Sequence, residues 1–226
     1  MKREQITVSD RTCFLYHNAE ATHLLIQPVD EHDLEVLDQE VDIIGNLSGS
    51  PFSLIALLIE DWNQELTPWV APAVFGKIPF GDGACNTLAF ITEQLLPKMV
   101  ADGIHNAGMK LLTGGYSLAG LFALWSACQT DLFDGIAAAS PSVWFPKWID
   151  YASENKPLAK AVYLSLGDKE EKARNPVMAQ VGNDIRKQYE LLTSQDINTI
   201  LEWNPGNHFV DSAKQMAKGF AWLMNQ

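Results

Sequence analysis

Apolar positions along this chain gather into short unbroken runs that alternate with longer stretches of three-four periodicity. Two brief runs, residues 6–8 and 13–16, flank the polar Ser9-Asp10-Arg11 and predict a hairpin. A third, residues 24–29, predicts a strand. Pro28 confines it to a sheet edge or falls at its end, because proline brings no N–H to a ladder. Leu34, Val36, Leu37, Val41, Ile43 and Ile44 then recur at helical spacing. Asp30, Glu31 and Asp33 suit the first turn, where the helix dipole favours carboxylates, and Gly45-Asn46 is the expected stop. Residues 52–59 are apolar almost throughout, as in a central strand covered on both faces.

A long stretch without regular pattern follows, from Glu60-Asp61-Trp62-Asn63 through Pro68, Trp69, Pro72 and Pro79 to Gly81-Asp82-Gly83. Loops of this length inside a compact chain are usually functional. Helical period returns over residues 86–100, where Pro97 should bend or shorten the helix. The rest alternates. Strands are expected at 109–112, 133–139, 161–166 and 197–203, and helices at 121–128, 175–192 and 211–224. This order predicts a mostly parallel sheet with helices on both faces and sites at the carboxyl ends of its strands.

At 226 residues, with 47% apolar and 19% charged, the chain suits one domain with a sizeable core. A net charge of −12 argues against nucleic acid and anionic membrane as partners, since both call for a basic patch. The N-terminus carries no apolar signal core, no apolar run is long enough to span a bilayer, and Cys13, Cys85 and Cys128 are odd in number and widely spaced. The expected setting is the cytoplasm, with reduced thiols. No His-Glu-x-x-His, paired-cysteine spacing or acidic calcium loop points to a metal, and the glycine pairs lack the lysine of a phosphate loop, so no cofactor is expected.

The chemistry centres on Gly115-Tyr116-Ser117-Leu118-Ala119-Gly120, between an apolar strand and an apolar helix. A serine between small residues on a tight strand-to-helix turn is the pattern of a nucleophile elbow, which holds the hydroxyl clear of its own backbone. Such a serine needs a base and a group that orients the base. Of five histidines, His208 alone lies in a loop between a late strand and the last helix, after the turn-forming Pro205-Gly206-Asn207. The acid should follow a strand between Ser117 and His208. The loop after residues 163–166 offers Asp168, Glu170 and Glu171. Glu170 is favoured, because a short turn after Gly167 can bring it back toward His208, and Asp168 is the alternative. The backbone N–H of Leu118 is one expected oxyanion donor, and the second is expected from the loop after residues 52–59, at Asp61 or Trp62. Trp62, Trp144 and Phe145 are candidates for an apolar substrate pocket, with Trp69 and Trp148 nearby in the same loops. Lys147, Lys169 and Lys172 suit an anionic substrate and suit plain solvation equally well.

Four segments together resemble the putative esterase family of α/β-hydrolases, which includes esterase D-like enzymes and enterochelin esterases. They are the elbow, Ala139-Ser140-Pro141-Ser142-Val143-Trp144, Leu166-Gly167-Asp168-Lys169-Glu170 and Gly206-Asn207-His208. The resemblance is close from residue 108 onward and rests on element order before that. It implies an α/β-hydrolase fold and cleavage of small carboxylic esters by a serine nucleophile. Some siderophore esterases of the family resemble a Ser–His pair with a weak or absent acid. No long insertion separates Ser142 from Ala161, so a minimal lid is expected. Two rivals share these motifs: an acyltransferase or thioesterase with the same triad, and an inactive hydrolase-fold binding protein.

Overall fold

In the computed structural model, which describes residues 1–74 and 76–226, eight strands form one sheet. The hairpin is β1 (Arg3–Val8) and β2 (Arg11–Tyr16), and β3 (His23–Val29) leads into α1 (Glu31–Ser48). Then come β4 (Phe52–Leu58), the short α2 (Trp62–Glu65), α3 (Ala84–Phe90), a π turn at Ile91–Leu95 and α4 (Leu96–Ala101). The second half runs β5 (Lys110–Tyr116), α5 (Leu118–Ser126), β6 (Gly135–Ala139), α6 (Trp148–Glu154), β7 (Ala161–Gly167), α7 (Val181–Ser194), β8 (Asn198–Asn204) and α8 (Ser212–Met224). The strand order is β1-β2-β4-β3-β5-β6-β7-β8, antiparallel for the first two pairings and parallel from β4 onward.

Side chains alternate between the two faces, as the pleat requires. Leu25, Leu54 and Ala137 face Leu37, Val41 and Ile44 of α1 and Met216 and Phe220 of α8. Ile26, Ile55, Ala138 and Leu164 face the other layer, with Ile91, Leu121, Phe122 and Ile185. Pro28 lies in a central strand. It pairs beside β4, but the β3–β5 ladder stops at Ile26, so its missing N–H falls at the strand end.

Three helix boundaries differ from expectation. α1 runs past Gly45-Asn46 and stops at Gly49, whose φ of 63° is the left-handed conformation that ends helices. Gly45 costs propensity without dictating an end. Pro97 sits in the first turn of α4, directly after the π turn, whose extra residue accommodates the absent N–H. α7 starts at Val181 rather than at 175, because Asn175-Pro176 makes a turn. The Asn175 Oδ1 accepts from Val177 N–H at 3.0 Å, and its Nδ2 donates to Val74 O at 2.7 Å.

The irregular stretch after β4 is tied down rather than loose. Ala71 bridges Phe80, and the Trp69 indole donates to Pro146 O at 2.9 Å while its ring meets Phe145 and Tyr151. Among the described residues, no helix is long and apolar enough to cross a membrane.

Candidate active site

Ser117 is the single residue between β5 and α5, with φ 59° and ψ −121°. Side chains rarely adopt that conformation, and it costs on the order of 1–3 kcal/mol where the surroundings enforce it. They do so here: Ser117 N–H donates to Ala139 O at 3.2 Å, and Ser142 N–H donates to Ser117 O at 3.0 Å. Strand and helix must nearly touch for the turn to close. A Cβ on Gly115 would lie 2.4 Å from the Ala119 Cβ, which explains the glycine and the small residue facing it.

His208 lies in the turn between β8 and α8, and its Nε2 is 3.1 Å from the Ser117 Oγ. On the other side, its Nδ1 is 2.7 Å from Glu170 Oε2. A neutral imidazole that donates Nδ1–H to the carboxylate leaves the Nε2 lone pair facing the serine hydroxyl. Glu170 is 7% exposed. Its Oε1 accepts from Gly167 N–H at 2.8 Å and from the Ser140 hydroxyl at 2.6 Å. A buried carboxylate needs such partners, and here they also fix which oxygen faces the imidazole.

Asp168, the alternative acid, is turned elsewhere: its Oδ1 accepts from Gly206 N–H at 2.8 Å. Lys169 N–H donates to Gly206 O at 2.9 Å, so the turn that carries Glu170 is sewn to the turn that carries His208. Gly206, at φ 113°, occupies backbone space that a side chain would resist. The histidine turn is held from below as well. The Tyr116 hydroxyl donates to His208 O at 2.9 Å, and Gln215 Nε2 donates to Val210 O at 2.9 Å. Sequence reading did not find Ser140, Tyr116 or Gln215 as supports, since nothing in their spacing announces contacts made across the sheet end.

Ser117 and His208 open onto a cavity of about 170 Å³ shared with Asp30, Asp33, Trp62 and Phe209. Trp62 therefore stands where a pocket residue was expected. Of the two expected second oxyanion donors, Asp61 and Trp62, one is engaged. Asp61 N–H is already donated to Glu65 Oε1 at 2.9 Å. The sheet order also puts β3, not β4, beside the elbow strand, so the turn that follows Val29 shares the Ser117 cavity with Trp62, although the Asp30 N–H itself is donated to Asp33 Oδ2 at 3.4 Å. That turn read only as a helix start, because its nearness depends on a strand order the sequence does not display. Trp144 is buried on the wall of a second cavity beside His208. Phe145 is 2% exposed and packs on Trp69 and Phe80; its ring fills the core instead of a pocket.

Asp33 is the unusual acid of the smaller cavity. Burial, and then the charge of Asp30, push its carboxyl up to about 7. Burial also pushes the Tyr116 phenol up, so it serves as a donor.

No family model and no curated protein matches the sequence. Solved structures do match in shape. An IroE-like serine hydrolase from Shewanella oneidensis superposes with a TM-score of 0.81 at 15% identity, over 99% of this chain and 80% of that one. Siderophore hydrolase EstB from Aspergillus nidulans gives 0.76 at 15% identity, over 99% and 95% of the two chains. The enterobactin hydrolase IroE in complex with DFP gives 0.70 at 15% identity, over 100% and 95%. The chain has the α/β-hydrolase fold that these esterases share.

Proposed function

We propose that the protein is a serine esterase that cleaves small carboxylic esters through an acyl-enzyme. The observation that carries this reading is the unbroken line from Ser117 Oγ to His208 to Glu170, at 3.1 and 2.7 Å, on a strained turn at the carboxyl end of a parallel sheet. Idle polar residues have no reason to hold that conformation in a cavity.

In this reading His208 Nε2 takes the Ser117 proton as Oγ attacks the ester carbonyl. The resulting imidazolium is held by Glu170. The oxyanion is met by the Leu118 N–H at the start of α5 and by an N–H of the turn that follows Asp30 or of Trp62 across the cavity. Collapse breaks the bond to the alcohol oxygen, which leaves with the proton from Nε2. Water then repeats the sequence on the acyl group and frees Ser117. The shared fold of siderophore and other serine hydrolases supports the same class of reaction. The three free cysteines support a reducing, cytoplasmic setting.

The test is direct. A fluorophosphonate probe should label the protein at Ser117, and p-nitrophenyl acetate should be hydrolysed with a burst. Labelling that persists in Ser117→Ala moves the nucleophile elsewhere. Absence of both labelling and turnover favours an inactive binding protein.

A further inference from the structure

A second and larger cavity, of about 430 Å³, shares His208 and Phe209 with the smaller one. Its apolar wall is made by Trp144, Met178 and Val181, with Phe209 at the mouth, 86% exposed and edge-on to the His208 ring. Lys169, Lys172 and Arg174 stand around it. In a chain with a net charge of −12, this cavity is lined by three cations and one carboxylate, Glu170. Among the described residues none of the three is in an ion pair, whereas Lys98, Arg186, Lys187 and Lys218 each have an acidic partner. The carboxylates nearest in sequence have other partners: Asp168 accepts from Gly206 N–H, Glu170 pairs with His208, and Glu171 pairs with Arg186. The smaller cavity has the opposite character, with Asp30 and Asp33 in its wall.

The two cavities also differ in their part in the reaction. Ser117 borders the smaller one, so the acyl group belongs there. His208 and Phe209 border both cavities, and the departing oxygen takes its proton from Nε2 beside Ser117, so an alcohol limb that starts there can continue past Phe209 into the larger cavity, where the cations are. An apolar wall ending in an Arg fork and two ammonium groups suits a hydrophobic limb that ends in a planar or compact anion.

We propose that the alcohol limb of the substrate bears a negative charge, and that it lies against Phe209 and Trp144 with that charge between Lys169, Lys172 and Arg174. The inference rests on the esterase reading above and adds the substrate's polarity to it. On the acyl side, the Asp30 carboxylate would repel the same charge.

Matched aryl acetates test it. 4-Acetoxybenzoate carries the anion on the leaving alcohol; 4-acetoxybenzamide is its neutral counterpart; phenyl hemisuccinate carries the anion on the acyl limb. The wild-type kcat/KM for the benzoate should exceed that for the benzamide by about tenfold, mostly through KM, with the hemisuccinate disfavoured relative to phenyl acetate. Raising ionic strength from about 0.02 to about 0.3 M should shrink the preference. Lys172→Ala/Arg174→Ala should bring the benzoate-to-benzamide ratio close to one, and Arg174→Glu should invert it. A wild-type ratio at or below one, with both esters turned over, overturns the inference and leaves the esterase reading standing. A preference that survives the double variant and high salt also overturns it. If neither ester is cleaved and the fluorophosphonate leaves Ser117 unlabelled, the esterase reading falls and this inference with it.

Discussion

Ser117 holds its backbone where an L-residue is strained, and a glycine would not be. Both Ser117→Ala and Ser117→Gly remove the proposed nucleophile. Only the glycine variant relieves the turn. Thermal melts should therefore place Ser117→Gly above Ser117→Ala by about 1 kcal/mol, or roughly 2–4 °C for a chain of this size. Equal melting points would mean that the turn is relaxed. Glu170 and Asp168 differ as sharply. Glu170→Gln swaps the oxygen facing Nδ1 for an amide or forces a flip, with loss of the correct tautomer. It should cost about 10³–10⁴-fold in kcat. Asp168→Asn loosens one backbone contact to Gly206 and should stay within about fivefold. Steady-state rates with one ester decide it, and equal small losses would reduce the proposed triad to a Ser–His pair.

The elbow strand and its helix are matched over a few atoms, and the tolerance there is small. Gly115→Ala sets a methyl within 2.5 Å of the Ala119 backbone carbon, so helix and strand must part. A loss of about 2–3 kcal/mol, roughly 4–12 °C in melting temperature, is expected together with a loss of activity. A stable, active Gly115→Ala would show that the gap opens freely. This element was legible in advance because its requirement is local: small residues must lie in the sequence where strand meets helix. The same holds for Glu170 and His208, each on a turn that punctuation residues mark. Phe145 was misplaced, and the nearness of the Asp30 turn to the cavity was missed, for the opposite reason. A tryptophan or phenylalanine in a loop reads the same whether it lines a slot or pins the loop down. Which turn adjoins the elbow depends on β3 sitting between β4 and β5, a pairing across the whole chain. The end of α1 was misread locally, because Gly45 and Gly49 carry the same residue and only one takes the left-handed turn.

Over the whole molecule, charge sets how stability follows pH. Glu40 of α1 is 2% exposed, its Oε2 accepts from Gln27 Nε2 at 3.3 Å, and its Oε1 has no partner. Burial pushes its carboxyl well above the ordinary range, as it pushes Asp33 up to about 7. At low pH both folded and unfolded chains hold these protons. Above about pH 4 the unfolded chain releases them while the native protein keeps them, so the native state binds more protons and loses stability as pH rises. The loss runs through pH 7 for Asp33 and continues above the ordinary carboxylate range for Glu40. A net charge of −12 works in the same direction through self-repulsion. Melting temperature should therefore fall between pH 5 and pH 8. Glu40→Gln should melt about 2–4 °C above wild type at pH 8 and level with it near pH 4. A variant that tracks wild type at both values would mean that Glu40 ionises in the native state without cost.

The connection between β6 and β7 carries only α6 and no capping insertion, and Phe209 stands bare at the rim. An acyl group on Ser117 would therefore form in reach of bulk solvent. A competing alcohol or amine would meet water at the mouth of the same cavity. If Ser117 is acylated as proposed, such an architecture would hand the acyl group to water more readily than to another acceptor.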